Sequence, residues 1–256
     1  MKILQVIPYF PPAYAFGGPP RVAFQISKEL FKRGQEVVVY TSDARGPDSR
    51  LTVEPVKIVD GIKVYYMRNL SMMPIKKSKL FITPEINLRL KEEIKEFEII
   101  HLHEYRTFQN IFVHHYAKKY GVPYVLQAHG SLPRVMAKQR LKWVYDAFFG
   151  YRLLEDASKV IALNRTEAQQ YRDVGVPEEK IEIIPNGIDL SEYAELSPKG
   201  KFKKKFGINN TEKIVLYLGR IHRDKGIDFL IKSFSHLIKN GSKNIRLVIA
   251  GPTTDT

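Results

Sequence analysis

Residues 3–42 read ILQVIPYFPPAYAFGGPPRVAFQISKELFKRGQEVVVYTS, and the fold is decided there. The run ILQVI (3–7) is short and apolar, as expected of a strand covered on both faces. Between residues 20 and 33 the apolar positions Val22, Phe24, Ile26, Leu30 and Phe31 recur at helical spacing, and Gly34 marks the stop. EVVVYTS (36–42) is β-branched and reads as a second strand. A strand, a loop, a helix and a second strand in this order form the opening unit of a parallel sheet covered by helices.

The alternation continues outward from this unit. Strands are expected at 62–67 (IKVYYM, after an Asp60-Gly61 turn), 98–102 (EIIHL), 122–127 (VPYVLQ), 158–163 (SKVIAL) and 181–184 (IEII). Helices are expected at about 84–97, 107–120, 134–155 and 165–173. The pattern predicts an α/β fold, a Rossmann-like, doubly wound and mainly parallel sheet. Such sheets hold ligands at the carboxyl ends of their strands.

After Asp189 the texture changes. Residues 191–212 carry Pro198, Gly200 and a cluster of Lys199, Lys201, Lys203, Lys204 and Lys205, the composition of a linker or an exposed basic helix start. KIVLYLG (213–219), a helix over about 226–239 and IRLVIAG (245–251) then make a second β-α-β unit, too small to bury a core alone. The expected division is a first domain at 1–195, a basic linker at 196–212 and an incomplete second Rossmann-like domain at 213–256, the start of a domain that a longer natural protein completes. The alternative is that 213–256 adds strands to the first sheet.

Composition narrows the function. Hydrophobic residues make up 44% and charged residues 27%, as in soluble globular proteins. The absence of cysteine excludes disulfides, thiolate nucleophiles and zinc–thiolate sites, and fits a reducing compartment. MKILQVIPYF is too short and too broken by prolines to be a signal peptide or a membrane span, so the chain reads as cytoplasmic. Abundant Lys, Glu and Ile without Cys suit a thermophile. The formal net charge of +14 leaves three classes of anionic partner: nucleic acid, a membrane surface, or phosphorylated small molecules. There is no zinc finger, arginine-rich tract or aromatic RNA-binding signature, so nucleic acid is the least favoured.

Several short segments carry chemistry. Gly17 and Gly18 stand where a loop meets a helix, so backbone N–H groups there can approach a phosphate; Pro20 suits the first turn. The plainer reading is a tight turn that needs positive φ. His129, in LQAHGSLP, follows a strand and can face the crevice to hydrogen-bond a sugar hydroxyl; alternatively it caps the strand. His101 and His103 alternate in IIHLHE and therefore face the same way, but no third metal ligand stands nearby. Asn186 and Gly187, in IIPNGIDL, favour a turn that Asp189 can bond across. In LYLGRIHRDKG, Arg220 and Lys225 flank a loop that opens a helix near Gly226, and two cations beside a helix amino terminus make a pyrophosphate clamp. Its plainer reading is a solvated basic loop.

Taken in order, GGPPR, HLHE, LQAHG, PNGID and LGRIHRDKG resemble the retaining glycosyltransferases of glycosyltransferase family four, across essentially the whole chain. The resemblance implies a GT-B fold: two Rossmann-like domains facing a cleft, the first on the acceptor side, the second holding most of the nucleotide sugar. It implies that Gly17 and Gly18 lie against the donor diphosphate, His129 near the donor sugar, and Asn186 and Gly187 along the cleft. Arg220 and Lys225 would bind the diphosphate and assist its departure. The family's paired-glutamate motif has no counterpart before residue 256, so this chain alone is expected to be inactive. Acceptors in the family are often lipid-linked.

Residues 134–155 bear on that last point. Arg134, Lys138 and Lys142 recur every fourth residue, and Trp143, Phe148 and Phe149 add interfacial bulk, as in a helix lying on anionic lipid; an ordinary packed helix with a basic outer face has the same composition. The expected function is that of a hexosyltransferase. It moves a sugar from a nucleotide-diphosphate sugar to a glycan or lipid-linked acceptor, with retention and without a metal, since no Asp-x-Asp motif occurs. No cofactor is expected beyond the donor substrate, and polysaccharide biosynthesis at the inner membrane face is the expected setting. The alternatives are a non-catalytic basic module for a phosphorylated or lipid acceptor, and a sugar-nucleotide epimerase of the same fold.

Overall fold

The computed structural model describes residues 1–78, 80–134, 138–222 and 225–251. Its strands are β1 (Lys2–Val6), β2 (Glu36–Ser42), β3 (Val56–Val59), β4 (Ile62–Met67), β5 (Ile99–His103), β6 (Tyr124–Gln127), β7 (Lys159–Ala162), β8 (Ile181–Ile183), β9 (Lys213–Leu218) and β10 (Ile245–Ala250). The helices are α1 (Pro19–Lys32), α2 (Met73–Ser78), α3 (Glu85–Glu93), α4 (Phe108–Tyr120), α5 (Gln139–Tyr145), α6 (Tyr151–Asp156), α7 (Arg165–Asp173), α8 (Lys201–Lys205) and α9 (Ile227–Lys239).

Among the described residues, eight strands form one sheet in the order β3-β4-β2-β1-β5-β6-β7-β8. All neighbours run parallel except β3 and β4, which form a hairpin through Asp60 and Gly61. Both turn residues have positive φ, 49° and 83°, and such a turn matches the twist of the strands it joins. The order reverses at β1, where β2 lies on one side and β5 on the other, and this is where a doubly wound sheet opens a crevice.

Side-chain alternation divides the core in two. Even-numbered residues of β1 and β5 (Leu4, Val6, Ile100, Leu102) join a large cluster with α3, α4 and α6. A second cluster of Val37, Val39, Ile62, Val64 and Ala23 lies on the other face. On that second face the central strands carry Gln5, His101 and His103, all buried. A parallel strand covered on both faces is ordinarily apolar throughout, so this polar strip is the departure that positions the site.

The helix expected over 134–155 starts later, at Gln139, and runs to Asp156 with a π-helical turn inside it. Lys138 takes a left-handed conformation (φ 65°) immediately before α5, so a helix cannot run through it. A π-helical turn, Asp146–Gly150, then joins α5 to α6. The lateral shift of that turn puts Asp146 in the interior against Arg106, and Gly150 packs so closely on Tyr105 that a Cβ would meet its hydroxyl. The expected stripe of Arg134, Lys138 and Lys142 is therefore not one helical face. Arg134 stands before the helix, 3.8 Å from Asp146, and residues 135–137 lie outside the described ones.

The chain divides into two compact units, Met1–Asp189 and Leu190 onward. In the second, β9 and β10 pair in parallel as a sheet of their own, which overturns the alternative that they extend the first sheet. Gly219 and Gly251 meet at the carboxyl ends of these strands, where a Cβ on Gly251 would strike the Gly219 carbonyl. Val215, Leu216 and Leu218 of β9 and Phe229 and Ile231 of α9 are exposed, and Ile208 is the one buried apolar side chain of the unit among the described residues. Among the described residues, two strands, the short α8 and α9 leave too much apolar surface uncovered to make a core. No helix among the described residues is long and apolar enough to cross a membrane.

Candidate functional site

The site of the first unit lies at the carboxyl ends of β1, β5 and β6. Register places Gln5 beside His101 and His103 beside Gln127. His101 stacks on His103 (centroids 4.1 Å apart), and His129 lies edge to edge with His103, nearly coplanar with it (centroids 5.2 Å apart, 11° between ring planes). His103 Nδ1 lies 2.9 Å from His129 Nε2, and His103 Nε2 lies 2.7 Å from Gln5 Oε1. Gln5 Nε2, His101 Nε2 and Gln127 Oε1 are buried with no hydrogen-bond partner among the described residues. Buried orphans are rare in folded proteins, and three side by side set this strip apart from the rest of the sheet.

Burial keeps the cluster neutral. It pushes the His101 imidazole down to about 3, with the neighbouring His129 adding to the effect. It drives His103 well below its ordinary value, helped by both flanking histidines, and brings His129 to about 4. An imidazolium there would lose its hydration and face other rings instead of a carboxylate. His129 is partly exposed, and its Nδ1 makes no hydrogen bond to the described residues.

A rigid frame holds His129. Its φ of 52°, followed by 78° at Gly130, turns the chain sharply after β6, and a non-glycine residue keeps such a conformation only when its surroundings enforce it. Glu167 on α7 is buried and accepts the N–H groups of Gly130 and Leu163, both at 2.7 Å. Tyr171 Oη accepts the Ala128 N–H at 3.1 Å. Arg106 donates to both Asp146 carboxylate oxygens (2.8 and 2.7 Å) and to the carbonyls of Ser131 and Leu132. Glu104, also at positive φ (70°), donates its N–H to Gln127 and accepts the Tyr9 hydroxyl at 2.6 Å. Tyr9 stacks on Phe16, 4.7 Å between centroids, which joins the β5 end to the glycine loop.

At that loop the sequence reading changes in detail. Gly17 has φ 107° and ψ −140°, a conformation side chains rarely adopt, and its N–H is taken by the Tyr14 carbonyl at 3.2 Å. Pro19 and Pro20 have no N–H, and Arg21 donates to Gly18. The exposed Gly18 N–H is thus the amide this helix start offers a ligand.

Asn186 and Gly187 are exposed in the segment after β8. Arg220 and Lys225 belong to the second unit, in the connection from β9 to α9. Tyr217 Oη donates to the Arg220 carbonyl, the Lys225 N–H donates to His222, and Gly226 opens α9 in a left-handed conformation. Sequence reasoning missed Gln5, Gln127, Glu167 and the Arg106–Asp146 pair. A glutamine inside the apolar runs ILQVI and YVLQ was the available signal for the first two.

The family profile described as Glycosyltransferase Family 4 matches residues 16–192, and the profile Glycosyl transferases group 1 matches 198–256. An uncharacterised glycosyltransferase of Methanocaldococcus jannaschii is 25% identical, with 98% of this chain covering 63% of that one. The D-inositol 3-phosphate glycosyltransferase of Gordonia bronchialis is 24% identical, over 93% of this chain and 54% of its own length. Among solved structures, Anabaena HepE in complex with UDP superposes with a TM-score of 0.71 at 18% identity, over 99% of this chain and 62% of that one. The fold is thus the GT-B type, and the chain spans about three fifths of the length of these proteins.

Proposed function

The chain belongs to glycosyltransferase family 4, and on that premise we propose that it serves a retaining, metal-independent transfer of a hexosyl group from a nucleotide-diphosphate sugar to a glycan or lipid-linked acceptor. The observation that carries this reading is the buried polar strip of a GT-B sheet, Gln5, His101, His103 and Gln127, ending on the partly exposed His129 at the strand carboxyl ends. Neutral imidazole suits a sugar hydroxyl better than a phosphate, because it brings directional hydrogen bonding without charge. The UDP held by HepE supports a nucleoside-diphosphate donor.

The roles divide by chemistry. As the sugar–phosphate bond breaks, negative charge grows on the departing diphosphate. Arg220 and Lys225 are assigned to stabilise that charge, and preorganised groups do so better in the transition state than in the ground state. His129 is assigned to the donor sugar, and Asn186 and Gly187 to the cleft. The exposed Trp143 and Phe148 of α5 and the π turn, in a chain of net charge +14, support peripheral contact with an anionic membrane that carries the acceptor.

Thermal stabilisation by a panel of nucleotide sugars, in a protein spanning the relatives' full length, tests the reading. A sugar nucleotide should raise the melting temperature more than its free nucleoside monophosphate does. No stabilisation by any member of the panel would refute it. A non-catalytic module would be stabilised by the acceptor alone.

A further inference from the structure

From the contacts of Gln5, His103 and His129 we propose that Gln5 and His103 are positioning residues, a hydrogen-bond relay that fixes the tautomer of His129 and makes its Nδ1 an obligate acceptor. The imidazole then recognises ligand groups that donate a proton, such as a hydroxyl, and rejects phosphate and carboxylate oxygens.

The direction of the relay follows from which atoms can donate. With the Gln5 amide oriented so that Oε1, which has only lone pairs, faces His103 across 2.7 Å, the hydrogen of that contact belongs to His103 Nε2. A buried ring with no carboxylate partner carries one proton, so His103 Nδ1 is a lone pair. The 2.9 Å contact to His129 then has one arrangement, His129 Nε2–H donating to His103 Nδ1. His129 has no second proton, and its Nδ1 is bare. The opposite direction needs the Gln5 amide turned, with Nε2 donating to His103, and would leave His129 presenting Nδ1–H. The three side chains come from β1, β5 and the turn after β6, and Gln5 and His103 are both fully buried. Water therefore does not reset the chain from its inner end. His101 stacks on His103 and Gln127 lies beside it in register, but neither makes a hydrogen bond within the relay.

The consequence for ligands rests on the glycosyltransferase reading, whereas the tautomer does not. Long-range proton–nitrogen spectra of the protein labelled with ¹⁵N-histidine, near neutral pH, test the tautomer directly. Both His103 and His129 should show a protonated Nε2 and a bare Nδ1, with a scalar coupling through the hydrogen bond from His129 Nε2 to His103 Nδ1. A protonated Nδ1 on His129, or no coupling, would overturn the relay, and this needs no variant to fold. The Gln5→Met variant removes the terminal acceptor and should turn the relay round, moving the His103 proton to Nδ1.

Transfer assays on a protein spanning the relatives' full length supply the second arm. His103→Asn keeps an acceptor in the Nδ1 position, whereas His103→Leu does not. The leucine variant should lose about a hundredfold in kcat/KM, the cost of misplacing one reacting group, and the asparagine variant should recover most of it. Equal activity in the two variants would remove His103 from substrate positioning. Spectra that match beside an absence of any sugar transfer would leave the relay standing and refute the glycosyltransferase reading instead.

Discussion

Replacing His101 by phenylalanine tests whether burial holds the histidine cluster neutral. The ring lies fully inside, stacked 4.1 Å from His103, and phenylalanine keeps that stacking while deleting one titrating group. In the folded protein the imidazole is pushed from its ordinary 6.5 to about 3. The folded-state value is thus depressed, so between these two limits the unfolded chain binds a proton that the folded chain refuses. Stability from the neutral ring is complete above pH 6.5 and is lost as pH falls towards 3. By linkage this amounts to about 2 kcal/mol between neutral pH and roughly pH 5 for this one group. Urea unfolding of both proteins across that range gives the two curves. Because every other titrating group is shared, the wild type should lose about 2 kcal/mol more than His101→Phe on acidification. Parallel curves would refute the claim that His101 is buried neutral, and with it the reading of the strip as a dry, uncharged site.

Gly150→Ala should destabilise the first unit by about 1–3 kcal/mol through collision with Tyr105, more than the roughly 1 kcal/mol that alanine gains in a helix; an unchanged melting temperature would contradict the packing of the π turn. Asp146→Ala should cost about 3–5 kcal/mol, because Arg106 would be left buried without its partner, as chemical denaturation would report. In a protein spanning the relatives' full length, Arg220→Ala or Lys225→Ala should cut kcat/KM about a hundredfold to a thousandfold and weaken binding of free nucleoside diphosphate in calorimetry, while His129→Ala keeps that binding; wild-type affinity in the first two removes the clamp. Trp143→Glu with Phe148→Glu should release the protein from anionic vesicles in sedimentation, and unchanged binding would place the membrane contact elsewhere.

The sequence made the β1-α1-β2 unit legible because its periods are clean: five apolar residues, a helical repeat closed by Gly34, then a β-branched run. The α7 helix and the second β-α-β unit were readable for the same reason. What escaped was set by contacts distant in sequence. The late start of the 134–155 helix comes from the left-handed Lys138, and its π turn packs Gly150 on Tyr105; neither alters local hydrophobic spacing. The β3 edge strand, VKIV, is mostly exposed and too short for its apolar alternation to stand out, although the Asp60-Gly61 turn beside it was plain.

The site divides similarly. His129, His101 and His103 stood out because histidine is uncommon in an apolar run. Gln5 became meaningful only when register set it beside His101, and Glu167 only when α7 brought it 2.7 Å from the Gly130 N–H. The glycine pair shows the reverse case. The motif suggested several free amides, and the two prolines with the Tyr14 carbonyl reduce them to Gly18.

The most direct test of the account is the product itself. A protein spanning the relatives' full length, given a nucleotide sugar and candidate acceptors, can be followed by proton NMR of the anomeric signals. The account predicts a new glycoside with the same anomeric configuration as the donor, together with released nucleoside diphosphate. An inverted glycoside would contradict the retaining chemistry, and a nucleotide sugar epimerised in place, with no transfer, would contradict the glycosyltransferase reading altogether.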